Sequence, residues 1–521
     1  MSVNTEIELL KHIDSCLNDG NGDAEVLISE LGEIVRMTSL MMSSDNMWKY
    51  TIDLAESAEI WSLIDLTINR SLGNNIKYNM NQLRLLKGLI LMIRNLSIAY
   101  REQHDDVSDF NNTHNALVTR LGMHLAEIYD SSEGMSIKHK ALDVSIVCFH
   151  CVFNFMQSSK SRDTTIVQKS IALLDTIFQQ MLITGDLFEL KQVLPQFKAY
   201  CLIPETRIEI VKDDATVFIH LLQAMAKILN VSVDINIEKL QDYETDDYKM
   251  IVILAHSLVY LFDDEKIGIA MYKLEKKGNE KDTNAILLYL IACQMTFSIQ
   301  QSNPNWDFVA IAAVCLDFFH EFRNVNVSLL KKEQLTTTEA LKLRIYHRKM
   351  VALLDIISNL LPYELFKKTF NSYNFLEELI HFFQVVEDNT ERRRLKDEEQ
   401  NTTNPLKKSF GNIKTIVVEI ITYLVHGDPQ NQEKVRESGG LLLILNNCNL
   451  DVNEPFIRER CILCLKYLLE NNKENQNLVA SLQAQGFETN KENENVLEKC
   501  GYEVEIVDGK VQLKKNTVPT E

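Results

Sequence analysis

The chain runs to 521 residues with 45% hydrophobic content, only 17 Gly and 8 Pro, and a formal net charge of −19 at pH 7. That length admits several compact domains or one extended array, and the scarcity of chain breakers, against average usages of about 7% Gly and about 5% Pro, points to long helices. An acidic balance of this size argues against nucleic acid and anionic membranes as partners, no apolar run approaches the ~18 residues of a membrane span, and 10 cysteines in so long a chain are no disulfide framework.

In chain order, Glu6 to Leu17 is expected as a short helix ended by Asn18-Asp19-Gly20-Asn21-Gly22. It lacks the basic n-region of a signal peptide, so a soluble protein of the cytosol or nucleus is expected, with the cytoplasm as its location. A second helix runs from about Asp23 to Met42, with Val26, Leu27, Leu31, Ile34 and Val35 on one stripe, and Trp48 and Trp61 flank the next. The helical period returns at Leu83 to Tyr100 and at about 114–129, 137–156, 165–183, 214–229, 247–262, 284–300, 305–323, 337–361 and 373–386. Short polar connections join most of these, as stacked helical hairpins require. Arg94-Asn95-Leu96 followed by Glu102-Gln103 reads as an armadillo-type third helix running into its connection. The charged stretch Lys273 to Asp282 reads as a solvated insertion. Asp388 to Asn404 has almost nothing to bury and reads as an exposed connection, its Arg392-Arg393-Arg394 triplet offset by acidic neighbours.

From Leu406 to Leu482 the chain repeats itself. Tyr423-Leu424, Asn431-Gln432 and Val435 return as Tyr467-Leu468, Asn475-Gln476 and Val479, each 44 positions on. A helical period of about 40–47 residues is that of armadillo and HEAT repeats. Ser438-Gly439-Gly440 interrupts the chain before the run Leu441 to Leu445, so the phrase predicts a short helix, a tight turn and a long buried helix. Asn431, Gln432, Asn475 and Gln476 read as residues that cap or link helices. Tyr502 to Leu513 alternates polar and apolar around Asp508-Gly509, a hairpin signal. A lone hairpin is marginal in water, so it must dock on the last helices or stay loosely ordered. The expectation is an all-α, armadillo/HEAT-like helical-repeat solenoid with a short C-terminal β-hairpin. Its divisions are an N-terminal solenoid at 1–386, a charged linker at 387–405, a C-terminal repeat domain at 406–485 and a tail at 486–521.

Catalytic signatures fail. His320-Glu321 begins an H-E-x-x-H, but Asn324 stands where the second ligand belongs, and no phosphate loop, dinucleotide motif or nucleophile elbow is present. The two C-x-x-C pairs, Cys148/Cys151 and Cys461/Cys464, lie far apart among apolar neighbours. In the second, Ile457, Cys461, Cys464, Leu465 and Leu468 keep the spacing of a core stripe, so buried, reduced thiols are expected rather than a zinc site. Met37, Met41, Met42 and Met47 read as core filler. No enzyme activity, cofactor or metal is expected. Function falls to surface, because a solenoid offers a long concave face to peptides or whole proteins. On Pro455 to Glu470 the side away from the apolar stripe presents Arg458, Glu459 and Lys466 as candidate partner-binding residues, against the plainer reading of solvated charges.

The string NQEKVRESGGLLLILNNCNLDVNEPFIRERCILCLKYLLENNKENQ resembles the C-terminal domain of the ataxin-10 family. It departs from that pattern at Arg460, where the family leads one to expect an aromatic residue, and at Glu454 before Pro455, where it leads one to expect Asn. The resemblance implies a cytoplasmic scaffold or adaptor that regulates cytokinesis and cell division, with signalling kinases and protein-modifying enzymes as partners. A name carried by a fungal member, copper transport protein, makes copper homeostasis the alternative, acting indirectly or through Cys148, His150 and Cys151.

Overall fold

The computed structural model describes residues 3–19, 22–39, 45–72, 78–104, 108–127, 134–158, 164–231, 244–262, 265–299, 306–390, 392, 410–482, 502–507 and 510–515. The chain divides into two compact units, Met1–Phe322 with Leu341–Asn359, and Arg323–Ala340 with Leu360–Glu521. Apart from one hairpin, the described elements are helices.

The first unit opens with α1 (Val3–Asn18), α2 (Ala24–Met37), α3 (Asp45–Ala55), α4 (Ala58–Ser71), α5 (Met80–Gln103), α6 (Ser108–Glu127) and α7 (Met135–Ser158). It continues with α8 (Thr164–Thr184), α9 (Leu187–Cys201), α10 (Pro204–Ile210), α11 (Lys212–Ile228), α12 (Asp246–Leu261), α13 (Lys266–Lys277) and α14 (Glu280–Ile299). Two helices, α15 (Phe308–Leu330) and α16 (Thr337–Leu360), contribute residues to both units. Side-chain caps fix several starts: Asn79 and Gln82 form a reciprocal box at α5, as Asp186 and Glu189 do at α9. Each helix packs on helices close to it along the chain: α1 on α4, α2 on α5, α5 on α7, α8 on α11, and α11 on α14. Neighbour-only packing is the pattern of an α-solenoid of helical repeats. Leu83, Leu86, Leu89, Ile90 and Ile93 of α5 are buried, as their period requires, and Asn95 is buried with them, donating to the Val35 carbonyl and to Thr38.

Several expectations need correction. The helices α9, α10 and α13 lie where the apolar period marks none. Trp48 and Trp61 do not flank one helix; each lies within its own, α3 and α4. The stretch Lys273 to Asp282 is no solvated insertion: Lys273 to Lys277 form the end of α13, Gly278 takes the left-handed cap, and Asp282 is buried in α14. Glu275 is buried too, because it meets Lys349 of α16, whose Nζ lies 2.5 Å away and is wholly buried. Tyr346 donates to the other Glu275 oxygen at 2.9 Å, and the ammonium sits 4.9 Å from the Tyr346 ring centre and 5.7 Å from that of Phe322. Burial lowers the Lys349 pKa against the pull of Glu275.

The second unit contains α17 (Glu364–Asn371), α18 (Phe375–Asn389), α19 (Ile413–Val425), α20 (Pro429–Glu437), α21 (Gly440–Asn446), α22 (Ile457–Leu469) and α23 (Lys473–Ser481). The expected long buried helix after Ser438-Gly439-Gly440 is a correction, since α21 spans 7 residues. Gly439 makes the turn with φ 77, and Asn446-Asn447 end the helix, the Asn447 amide bonding back to the Leu443 carbonyl. Of the basic triplet, Arg392 is described: it pairs with Glu387 and donates to the Asn446 carbonyl at 2.7 Å. The hairpin forms as the alternation predicts. Strands β1 (Tyr502–Val507) and β2 (Lys510–Lys515) pair antiparallel, with Val504 opposite Leu513 and Val507 opposite Lys510. The connecting Asp508-Gly509 lies outside the described residues, as do Met41 and Met42 of the methionine group. Among the described residues no helix is long and apolar enough to cross a membrane.

Candidate partner-binding surface

The 44-residue period reappears in the backbone of the second unit. Asn412 before α19 and Phe456 before α22 both take left-handed conformations, with φ 68 and 65, and so do Gly427 and Asn471 after those helices, with φ 68 and 56. Asp428 and Asn472 then cap α20 and α23, accepting from the amides of Asn431 and Asn475. The amide side chains have a physical task. The last carbonyls of a helix have no partner within it. Asn431 donates to the Leu424 carbonyl at 2.9 Å and Asn475 to the Leu468 carbonyl at 2.8 Å, while Gln476 serves Leu469 at 2.7 Å. Gln432 links the copies, donating to the Tyr467 carbonyl at 2.9 Å and accepting from Asn472 at 3.2 Å. The reading of these four residues as helix-linking is met.

The start of α19 is held from a distance. Glu454, only 1% exposed, accepts from the Lys414 amide at 3.0 Å through one oxygen, and through the other from the Thr415 amide at 3.0 Å and its hydroxyl at 2.8 Å. Burial raises its pKa, and those donors with Lys414 pull it back down. Thus the departure from Asn at this position places a carboxyl group at a helix N-terminus, where the peptide dipoles favour negative charge. Sequence reasoning missed this role, because Glu454 meets the start of α19 from 40 positions away.

Helix α22 turns Cys461, Cys464 and Leu468 inward and leaves much of its remaining surface in water. Arg458 and Glu459 are exposed, with Nε and Oε1 3.5 Å apart, and Lys466 lies over the Tyr467 ring at 5.4 Å. The three candidates thus share one helix surface, whereas Arg460 is engaged by Glu419 at 3.3 Å. Apolar side chains stand among them: Ile462 is 55% exposed, Leu463 is 39%, and Phe456 at the helix head is 73%. A bulky residue with positive φ is an outlier, usually held by packing. Exposed Phe456 has no such packing, and the equivalent place in the first copy is filled by Asn412, a residue that tolerates the conformation. Phe456→Asn is expected to stabilise the unit by about 1 kcal/mol, seen as a raised thermal midpoint; an unchanged or lower midpoint would count against strain here.

The cysteine pairs are core. Cys148, Cys151, Cys461 and Cys464 are buried, and burial raises the thiols of Cys148 and Cys151 far above the ordinary value, against the thiolate that a soft metal needs. His150 donates through Nε2 to the Gln192 carbonyl at 3.0 Å, and burial lowers its pKa. Among the described residues His139, Asp186 and Glu189 bring ligand atoms within 4.8 Å of one another. Those atoms are spent on the start of α9: Asp186 accepts from the Phe188 and Glu189 amides, and Glu189 accepts from the Asp186 amide and meets His139 at 2.8 Å.

Residues 413–514 match the family model described as "Spinocerebellar ataxia type 10 protein domain". Over most of its length the chain is similar to proteins named "Ataxin-10 homolog". That from Debaryomyces hansenii is 27% identical over 503 residues, covering 95% of this chain and 92% of its own. That from Candida glabrata is 26% identical, covering 97% and 98%. A solved structure of SYS-1 in complex with POP-1 aligns with 95% of this chain and 90% of its own at 10% identity and a TM-score of 0.33, a score too low to carry detail.

Proposed function

The chain belongs to the ataxin-10 family, and from that premise we propose that it is a non-enzymatic scaffold or adaptor that binds other proteins in the cytoplasm. The observation that supports this best is the surface of α22, where Phe456, Ile462 and Leu463 lie in water beside Arg458, Glu459 and Lys466. Grouped exposed apolar side chains with a polar rim mark interaction sites. The binding role is assigned to the repeat domain at 406–485, with Arg458, Glu459 and Lys466 among its contacts. Family membership supports a part in cytokinesis, with kinases or modifying enzymes as partners. Affinity purification of the intact chain, beside a version ending before Leu406, tests the scaffold reading. A discrete partner set that disappears on truncation is expected. No partner on either version, with copper or zinc at one per chain, would sink it. Normal division after depletion of the protein would remove the cytokinesis role alone.

A further inference from the structure

The two copies of the repeat differ in how their long helices are covered. In α19, Val418, Ile421 and Val425 are fully buried, and Lys414 is buried with Nζ 2.6 Å from Glu387 of α18. The equivalent residues of α22, each 44 positions on, are Ile462, Leu465, Leu469 and Arg458. Ile462 and Arg458 are exposed, and Leu465 and Leu469 are half-buried. At positions i, i+4, i+7 and i+11 the four make one stripe along a helix. The helices packed beside them also differ in length. The α18 helix, which packs on α19, has 15 residues, whereas α21, which packs on α22, has 7.

Resting on the scaffold reading, we propose that the stripe Arg458, Ile462, Leu465 and Leu469 receives an amphipathic helix of a partner protein with a carboxylate opposite Arg458. A helix is the fitting shape because α18, itself a helix, packs on α19 and meets the equivalent stripe at Lys414. Its acidic end follows from charge: α18 brings Glu387 to Lys414, while among the described residues Arg458 is paired with its own neighbour Glu459, exposed beside it. The strained, exposed Phe456 stands at the N-terminal end of the same helix and adds an aromatic side chain of the kind on which helix-in-groove recognition depends.

The probe is a fluorescein-labelled peptide with the sequence Phe375–Asn389, the helix that covers the first copy, titrated into the full chain and read by anisotropy. Binding is expected, weakened about tenfold or more by Ile462→Asp, a change at an exposed side chain that should leave the thermal midpoint in place. Arg458→Glu should weaken it about tenfold, and a peptide carrying Glu387→Lys should restore it. Equal binding to wild type and Ile462→Asp overturns the proposal, as does failure of the charge swap. Binding that appears only once the chain is cut after Leu482 assigns the stripe to the chain's own C-terminal segment and overturns it. Doubling of mass in sedimentation, abolished by Ile462→Asp, assigns it to a second copy and also overturns it. Partners purified with Ile462→Asp as with wild type keep the scaffold reading while removing this site; no partner on the intact chain removes the scaffold reading itself.

Discussion

Lys349→Ala is expected to cost the first unit about 3–5 kcal/mol, because it leaves the Glu275 carboxylate buried without a counter-charge. Tyr346 would still donate to that carboxylate, but one neutral hydroxyl cannot replace an ammonium. The pair itself is another matter. Taking two charges out of water costs several kcal/mol each, and their attraction repays this only in part. The double variant Lys349→Met with Glu275→Leu fills similar space with no charge, and its stability is expected to equal or exceed that of the wild type. Urea denaturation followed by circular dichroism compares the three chains. A single variant with the wild-type midpoint would mean that water reaches Glu275 once the lysine is gone.

Glu454→Ala is expected to cost the second unit about 2–4 kcal/mol, since the backbone amides of Lys414 and Thr415 and the Thr415 hydroxyl all lose their acceptor. The effect should be local first. Amide hydrogen exchange at Lys414 and Thr415 should quicken well before that of the α19 interior. Gly411→Ala attacks the same joint from the other side, because a Cβ there would lie 2.4 Å from the Asn453 carbonyl oxygen, and the Asn412 amide bonds to that oxygen at 3.2 Å. Unchanged exchange at Lys414 and Thr415 in Glu454→Ala would show that another group caps the helix.

What the sequence discloses here is what repeats. The 44-residue spacing of Asn431 and Asn475 is visible in letters, and the same spacing governs their bonds to the Leu424 and Leu468 carbonyls. The apolar stripes of α5 and α22 and the alternation of the hairpin are short-range patterns of the same kind. Contacts between distant positions leave no such mark. Glu275 looks like one more charge in KLEKKGNEKD until Lys349 is brought to it from 74 positions away. Glu454 reads as a loop residue until the start of α19 is laid against it from 40 positions back. The shortness of α21 was hidden for another reason: Leu441 to Leu445 are apolar enough to continue, and the helix stops at Asn447, whose side chain bonds to the Leu443 carbonyl. Arg458, Glu459 and Lys466 were legible as surface, but nothing in their letters shows that Ile462 beside them lacks the cover that Val418 has.

The joint between each long helix and the short helix that follows it reads main-chain oxygen. Asn431, Gln432, Asn475 and Gln476 all address carbonyls, which every residue carries whatever its side chain. A joint of that kind makes no demand on the identity of the residues it clasps. Duplication of one 44-residue unit would therefore bring its own fastening with it, and side chains on either side could drift afterwards without undoing the seam. Growth by copying is open to an array built this way, where one joined by matched side chains would have to invent each new fit.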